Sequence, residues 1–185
     1  MEIRTYAPQK KQGLVVVITG NGKGKTSSAM GMVLRAAGHG MKSAVIQFMK
    51  GDLYSGEWDG VKYLGGLVAL TATGKGFCGI EGNPYSHAEH RKNAQDAIAL
   101  AFQTMDTADL NLLVLDEINN ALHLNLVDLS QVEAILERRP EHLHLILTGR
   151  DAHPHIISQA DTASEIHEIK HAYRLGIEPQ PGIDF

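Results

Sequence analysis

The chain has 185 residues, a net charge of -4 with histidine neutral, and a single cysteine, Cys78. That length suits one domain with a full core, the charge offers no basic footprint for nucleic acid, and one cysteine excludes an intrachain disulfide. No apolar run approaches bilayer length, and the opening MEIRTYAPQKKQ is too polar for a signal peptide, so no membrane partner is expected and cytoplasm is the expected compartment.

Residues 1–13 read as an extended arm, followed by one domain over residues 14–185. The apolar run Val15 to Ile18, three of its four residues β-branched, predicts a strand buried on both faces. It breaks into Thr19, Gly20, Asn21, Gly22, Lys23, Gly24, Lys25 and Thr26, and small and apolar residues from Ser27 to Ala37 then suit a helix with Met30, Val33 and Leu34 on its buried face. Strand, glycine-rich turn ending in Gly-Lys-Thr, then helix is the order of a phosphate-binding loop. Glycines let backbone N–H groups approach phosphate oxygens, and the following helix adds its own unpaired N–H groups and positive dipole end. Gly20 to Ser27 are therefore the candidate nucleotide-binding residues, with Lys25 bringing charge to the phosphates and the Thr26 hydroxyl suited to magnesium. Thr19 departs from the common form, which has glycine five positions before Gly24, and Lys23 adds a second cation.

Gly38 and Gly40 end the helix around His39, and Ala44 to Met49 predicts a second strand. Leu53 to Gly66 has a weak pattern and reads as loop with short irregular pieces, including the lone Trp58. Leu67 to Thr71 predicts a third strand, and Gly74 to Pro84 a long glycine-rich loop of the kind that carries function. A helix begins at Ser86, with Ser86 and Glu89 at capping-box spacing and Ala94, Ile98, Ala101, Phe102 and Met105 on its apolar face. Leu112 to Leu115 predicts a fourth strand that delivers Asp116 and Glu117 to its carboxyl end. P-loop proteins hold magnesium with such a carboxylate, and the spacing leaves open which of the two touches the metal. A helix over Ser130 to Arg139, capped by Ser130 and Glu133, precedes a fifth strand at Leu143 to Leu147. Arg150 follows that strand directly, at the same sheet edge as the phosphate loop, where a guanidinium pairs with phosphate oxygens or forms a surface ion pair. A short helix from His153 to Gln159 and a strand from Ala163 to Ile169 come before a glycine- and proline-rich tail. His142 and His144 flank Leu143 and could share a face, but no histidine sits at a zinc-finger or His-Glu-x-x-His spacing, and no local Ser-His-Asp or Cys-His pattern appears. Strands alternating with helices predict an α/β domain with a mostly parallel sheet of about six strands and helices on both faces.

With these residues assembled, the chain resembles the ATP:corrinoid adenosyltransferases of the cobalamin-synthesis type. The likeness rests on TGNGKGKTSSA, on RAAGHGMKSAVIQFMKG from Arg35 to Gly51, on VLDEINNAL, ILTGR and the tail KHAYRLGIEPQPGIDF, and it spans residues from about 13 to 185. It implies a P-loop fold of the RecA-like kind and transfer of the 5′-deoxyadenosyl group of ATP to cobalt(I) of a corrinoid, releasing triphosphate. It further implies that the nucleotide lies in the loop in reversed sense, that Thr26 and Glu117 hold magnesium (or manganese), and that the protein is a homodimer. A reduced flavin or flavodoxin would supply the electron. The family's Gly-Phe-Thr-Trp stretch, whose aromatics press on the lower face of the corrinoid, corresponds here to Gly76-Phe77-Cys78-Gly79: Phe77 matches and Gly79 replaces the tryptophan. Lys25, Phe77 and Arg150 are thus the candidate catalytic residues. An ordinary P-loop kinase or ATPase, and a binding module without catalysis, stay open as other readings.

Overall fold

The computed structural model describes residues 8–51, 54–76, 78 and 83–185. In chain order its elements are β1 Val15–Thr19, α1 Lys25–Gly38, β2 Lys42–Gln47, α2 Glu57–Gly60, β3 Val68–Ala72, α3 His87–Met105, β4 Leu110–Asp116, α4 Ile118–His123, α5 Leu129–Arg138, β5 His144–Thr148, α6 Pro154–Gln159 and β6 Thr162–Glu165. Two 3-10 turns, Val61–Leu64 and Ala172–Leu175, complete it. All six strands pair in parallel in the order β3-β2-β4-β5-β1-β6.

Because side chains alternate across a strand, each central strand feeds two cores. Val17, Ile46, Leu113, Leu115, Leu145 and Leu147 face α3, α5 and α6 on one side. Ile18, Val45, Leu112, Val114 and Ile146 face α1 and the 3-10 turn at Val61 on the other. This explains why the central strands read as continuous apolar runs. The short β6 pairs with β1 at the sheet edge and is exposed along its length.

Several boundaries and faces differ from expectation. Helix α1 packs through Ala29, Val33 and Ala36, while Leu34, one step around the helix from Val33, is 60% exposed. Small residues let that helix lie close to the sheet. The capping box of α3 is present as read, with Glu89 N–H donating to Ser86 Oγ and Ser86 N–H to Glu89 Oε2. Phe102 is only partly buried, and the Arg138 guanidinium lies over its ring at 4.5 Å. Helix α5 starts one residue earlier than read, and its start is capped by Asp128 and Gln131 rather than Ser130 and Glu133: Gln131 Oε1 accepts the Asp128 N–H at 2.9 Å. The same three-residue spacing sits two positions upstream, with Gln doing what Glu was expected to do. Helix α4, two turns opened by a left-handed Glu117 (φ 65), carries no readable period and was not expected. Strand β6 stops at Glu165 because Ile166 turns onto the phosphate loop, its N–H donating to Thr19 O at 2.9 Å and its carbonyl accepting from Gly22 N at 2.7 Å. At the other end Gly13 is already docked, donating to Glu141 O at 2.7 Å.

Candidate functional site

The site forms where β1, β4, β5 and β2 end, the carboxyl edge at which open α/β sheets bind ligands. The loop between β1 and α1 is shaped by glycine for two different reasons. Gly24, the residue before α1, has φ 113 with nothing near its missing side chain, so the backbone conformation alone demands glycine. At Gly22 the reason is contact: a Cβ there would lie 2.8 Å from His167 O, against the chain that follows β6. Thr19, the departure from the common loop, accepts the Ala152 N–H on Oγ1 at 3.1 Å. Its hydroxyl thereby ties β1 to the turn carrying Arg150, whose own N–H donates to Asn120 Oδ1 at 2.9 Å.

Strand β5 lies between β1 and β4, so the loop and the acidic strand end stand two strand spacings apart, roughly 10 Å. Two threonines close that gap. Thr26, on the first turn of α1, donates to Asp116 Oδ1 at 2.9 Å, and Thr148, at the end of β5, donates to the same oxygen at 2.7 Å. Asp116 Oδ2 accepts from Gln47 Nε2 at 3.1 Å. Both oxygens of this fully buried carboxylate are therefore committed. Glu117 differs in every respect. Its N–H is held by Thr148 Oγ1 at 2.9 Å, and its side-chain Oε2 is shielded from solvent with no hydrogen-bond partner. Burial first, and the Asp116 charge second, push its carboxyl up to about 7, partly offset by Lys50, Lys25 and Arg150.

Lys25 donates to Gly22 O at 2.8 Å, folding its ammonium over its own loop. Burial, then the nearby Arg150 charge, lower its pKa, while Glu117 and Asp116 act the other way. Lys23 pairs with Asp184 at 2.6 Å, so the tail returns to the loop. Asn21, Lys25, Arg150, His171 and Tyr173 line a cleft of about 460 Å³ beside the loop. A second opening of about 400 Å³ is bordered by Thr26, Ser27, Lys50, Glu57, Asp184 and Phe185.

Of the residues singled out in the sequence, Gly20 to Ser27, Asp116, Glu117 and Arg150 thus come to one edge. Phe77 and Gly79 lie outside the described residues. His142 and His144 do not share a site: one meets Leu110 O at 3.2 Å and the other accepts the Leu14 N–H at 3.1 Å. Cys78 is half-buried against the core. Among the described residues no three His, Cys, Asp or Glu side chains cluster as a self-sufficient metal cage. A magnesium ion bound with a nucleotide needs fewer protein ligands, because phosphates and water complete its shell. Thr26 and the shielded Glu117 Oε2 fit that need, and Asp116 fits the role of holding Thr26. Sequence reasoning missed Thr148, Gln47, Glu57 and Asp184; the one signal for Gln47 was a polar residue inside the apolar run AVIQFM.

A family model described as ATP:corrinoid adenosyltransferase BtuR/CobO/CobP matches residues 11–185. A corrinoid adenosyltransferase of Pseudomonas aeruginosa is 39% identical over 95% of this chain and 85% of its own length. The corrinoid adenosyltransferase CobA of Salmonella typhimurium is 33% identical over 100% of this chain and 92% of its own. Among solved structures, the flagellar accessory protein FlaH of Methanocaldococcus jannaschii aligns over 84% of this chain and 71% of that one, with a TM-score of 0.54 and 12% identity. The RadB recombinase aligns over 87% and 77%, with a TM-score of 0.52 and 13% identity. At such identities these two structures bear on the P-loop fold alone.

Proposed function

The chain belongs to the ATP:corrinoid adenosyltransferase family BtuR/CobO/CobP, and on that premise we propose how its own residues transfer the 5′-deoxyadenosyl group of ATP to a corrinoid. Cobalt(I) is the nucleophile: its electron pair forms the bond to C5′, the C5′–O5′ bond breaks, and that pair leaves on inorganic triphosphate. Nothing is deprotonated at the reacting carbon, so no protein base is called for. The protein has to hold C5′ in line and stabilise the departing charge.

The observation that carries this reading is the division of labour between adjacent carboxylates: Asp116 has both oxygens committed, whereas Glu117 Oε2 is shielded and without a hydrogen-bond partner, its ionised form favoured by the Lys25 charge. Within the candidate nucleotide-binding stretch Gly20 to Ser27, Asn21 to Lys25 wrap the phosphates with the main-chain N–H groups other than that of Gly22, which Ile166 O already holds, and Lys25 exchanges its Gly22 carbonyl for phosphate oxygens. Arg150, fixed through its backbone by Asn120, adds charge from the far wall of the cleft. Thr26 and Glu117 would hold magnesium (or manganese), which when bound neutralises charge building on the leaving triphosphate. Asp116 serves this site through Thr26. By family likeness, Phe77 presses on the corrinoid, a reduced flavin or flavodoxin supplies the electron, and the protein works as a cytoplasmic homodimer. The exposed edge of β6 and the exposed Ile169 and Tyr173 are consistent with a partner surface. No helix among the described residues is long and apolar enough to cross a membrane. Residues 14–185 form the catalytic domain in this reading.

The test is to incubate the protein with ATP, magnesium and chemically reduced corrinoid and to identify both products. Triphosphate should accumulate one for one with a light-sensitive cobalt–carbon product. ADP or pyrophosphate as the primary product would move the protein to the kinase or ATPase class, and binding without product would leave a non-catalytic module. Phe77→Ala should lose more turnover from cobalt(II) than from cobalt(I) supplied ready-made, with melting temperature unchanged. Equal losses would remove Phe77 from the corrinoid site.

A further inference from the structure

Gln47 ends β2 with no exposed surface, and the chemistry above makes no direct use of it. Its side-chain amide is fully engaged. Nε2 donates to Asp116 Oδ2 and to Glu57 Oε1, each at 3.1 Å, while Oε1 accepts the Trp58 indole N–H at 2.8 Å. The orientation is forced, since an ionised carboxylate only accepts and an indole N–H only donates. A flipped amide would set its oxygen against two anions and its NH₂ against another donor.

The far end of this bridge is itself anchored. Lys50 Nζ meets Glu57 Oε1 at 2.5 Å, and Ser55 donates to Glu57 Oε2. Burial alone would raise the Glu57 carboxyl, but the bonds from Lys50 and Ser55 hold it down at about 2, so it stays an acceptor. A polar side chain buried among apolar strand residues costs stability unless every bond is made. Here every bond is made, and one of them ends on the carboxylate that holds Thr26.

We propose that Gln47 is a positioning residue for the nucleotide and metal site, acting through Asp116. Terminal carboxylate torsions are broad and roughly two-fold, so a carboxylate with one oxygen free can turn. With Oδ2 pinned by Gln47, Oδ1 stays aimed at Thr26 and Thr148. Thr26 then spends its only proton on Asp116 and keeps its lone pairs for a cation. Trp58, the sole tryptophan, is bonded to the same amide, so its emission reports on the bridge. This inference rests on the assignment of Thr26 and Glu117 to a metal–phosphate site.

The experiment is calorimetric titration of the full chain with ATP, without corrinoid, in EDTA and across a magnesium series, with Trp58 fluorescence recorded in parallel. In wild type, magnesium should tighten ATP binding and shift the tryptophan emission. Gln47→Leu should raise the magnesium concentration for half-effect about tenfold, the scale of one hydrogen bond to a charged group, and abolish the emission shift. Its ATP affinity in EDTA should stay within about twofold of wild type, because the phosphate loop itself is untouched. Glu57→Gln, which weakens the anchor and the Lys50 pair while leaving the Gln47–Asp116 bond in place, should give a smaller shift of the same kind, and it decides the matter if Gln47→Leu does not fold. Unchanged magnesium dependence, or equal losses with and without magnesium, would overturn the inference and make Gln47 a packing residue. Lys25→Ala separates the two levels. If it loses ATP binding while Gln47→Leu behaves as wild type, only this inference falls; if it binds ATP normally, the site assignment falls too.

Discussion

On its inner side the phosphate loop meets Asp116 through Thr26, and Thr148 and Gln47 hold Asp116 in turn; none of these three partners, Asp116, Thr148 or Gln47, has any exposed surface. On its outer side it meets the chain after β6, where Ile169 is 98%, Tyr173 78% and Ile183 70% exposed. The inner contacts are short bonds that commit both Asp116 oxygens and the Glu117 N–H, and they leave the shielded Glu117 Oε2 without a partner. The outer contacts are two main-chain bonds through Ile166 and one ion pair, Lys23 to Asp184. Polar bonds in a buried setting are costly to break, whereas exposed pairs are screened and cost little. The inner side is therefore set before any ligand arrives, and the outer side is the part that can yield to one. Substitutions on the two sides should separate accordingly.

The largest effect belongs to Lys25, which stands between the two. Lys25→Ala removes a charge-assisted contact to phosphate and should cost roughly 2 to 3 kcal/mol or more of transition-state stabilisation. Steady-state kinetics would show this as a fall in kcat/KM of about two orders of magnitude. Wild-type ATP affinity with undiminished turnover would detach the loop from catalysis and end the comparison.

Next comes Glu117, the open member of the inner set. Its carboxyl titrates at about 7 in the fold against an ordinary 4.5, so the fold favours the protonated form. In metal-free protein this contribution to stability is full below about 4.5 and is lost as pH rises through about 7. A cation needs the carboxylate, so magnesium affinity should do the opposite, rising with pH toward about 7 and levelling above it. Glu117→Gln should flatten both profiles and weaken magnesium dependence by about tenfold, while ATP binding in EDTA changes little. Melting curves and magnesium titrations at several pH values check both signs. An unchanged pH profile in Glu117→Gln would place the titrating group elsewhere.

Much of the inner side was legible where its cause is local. A β-branched run, a glycine-rich turn and Gly-Lys-Thr are adjacent in the chain, so the strand, loop and helix could be read directly. The acidic strand end was legible too, but its spacing did not separate the two carboxylates, and only the family resemblance pointed to Glu117 for the metal. Asp116 is committed by Thr26, Thr148 and Gln47, which come from three other elements, while the shielded Glu117 Oε2 is left without a partner. That choice is made by tertiary contact, and no local pattern records it. Helix α4 was missed for the same reason, since two turns after a left-handed residue give no hydrophobic period. The cap of α5 was misplaced by two residues because two candidate pairs share one spacing. The glycine- and proline-rich tail forms a single 3-10 turn, Ala172–Leu175, and nothing in its sequence announced that Asp184 returns to Lys23.

That return contact gives the smallest expected effect and the sharpest test of the outer side. The Lys23 and Asp184 side chains are 42% and 23% exposed, so solvent screens their pair and it should contribute little to folding. Asp184 stays ionised through its bonds from Lys23 and the Gln180 N–H, which hold its pKa below the ordinary value. A triphosphate entering the loop brings more negative charge to Lys23 than one carboxylate does, and it repels that carboxylate as well. Asp184→Asn keeps the shape and can keep the Gln180 bond through its amide oxygen, while removing the competing charge. It should leave the melting temperature within about a degree or two, as surface substitutions do. It should also tighten ATP or tripolyphosphate binding by about two- to threefold, with a shallower dependence on salt. Weaker binding in Asp184→Asn would show that the tail carboxylate helps to build the site instead of competing for it. The outer side would then be as fixed as the inner one, and the distinction between them would be wrong.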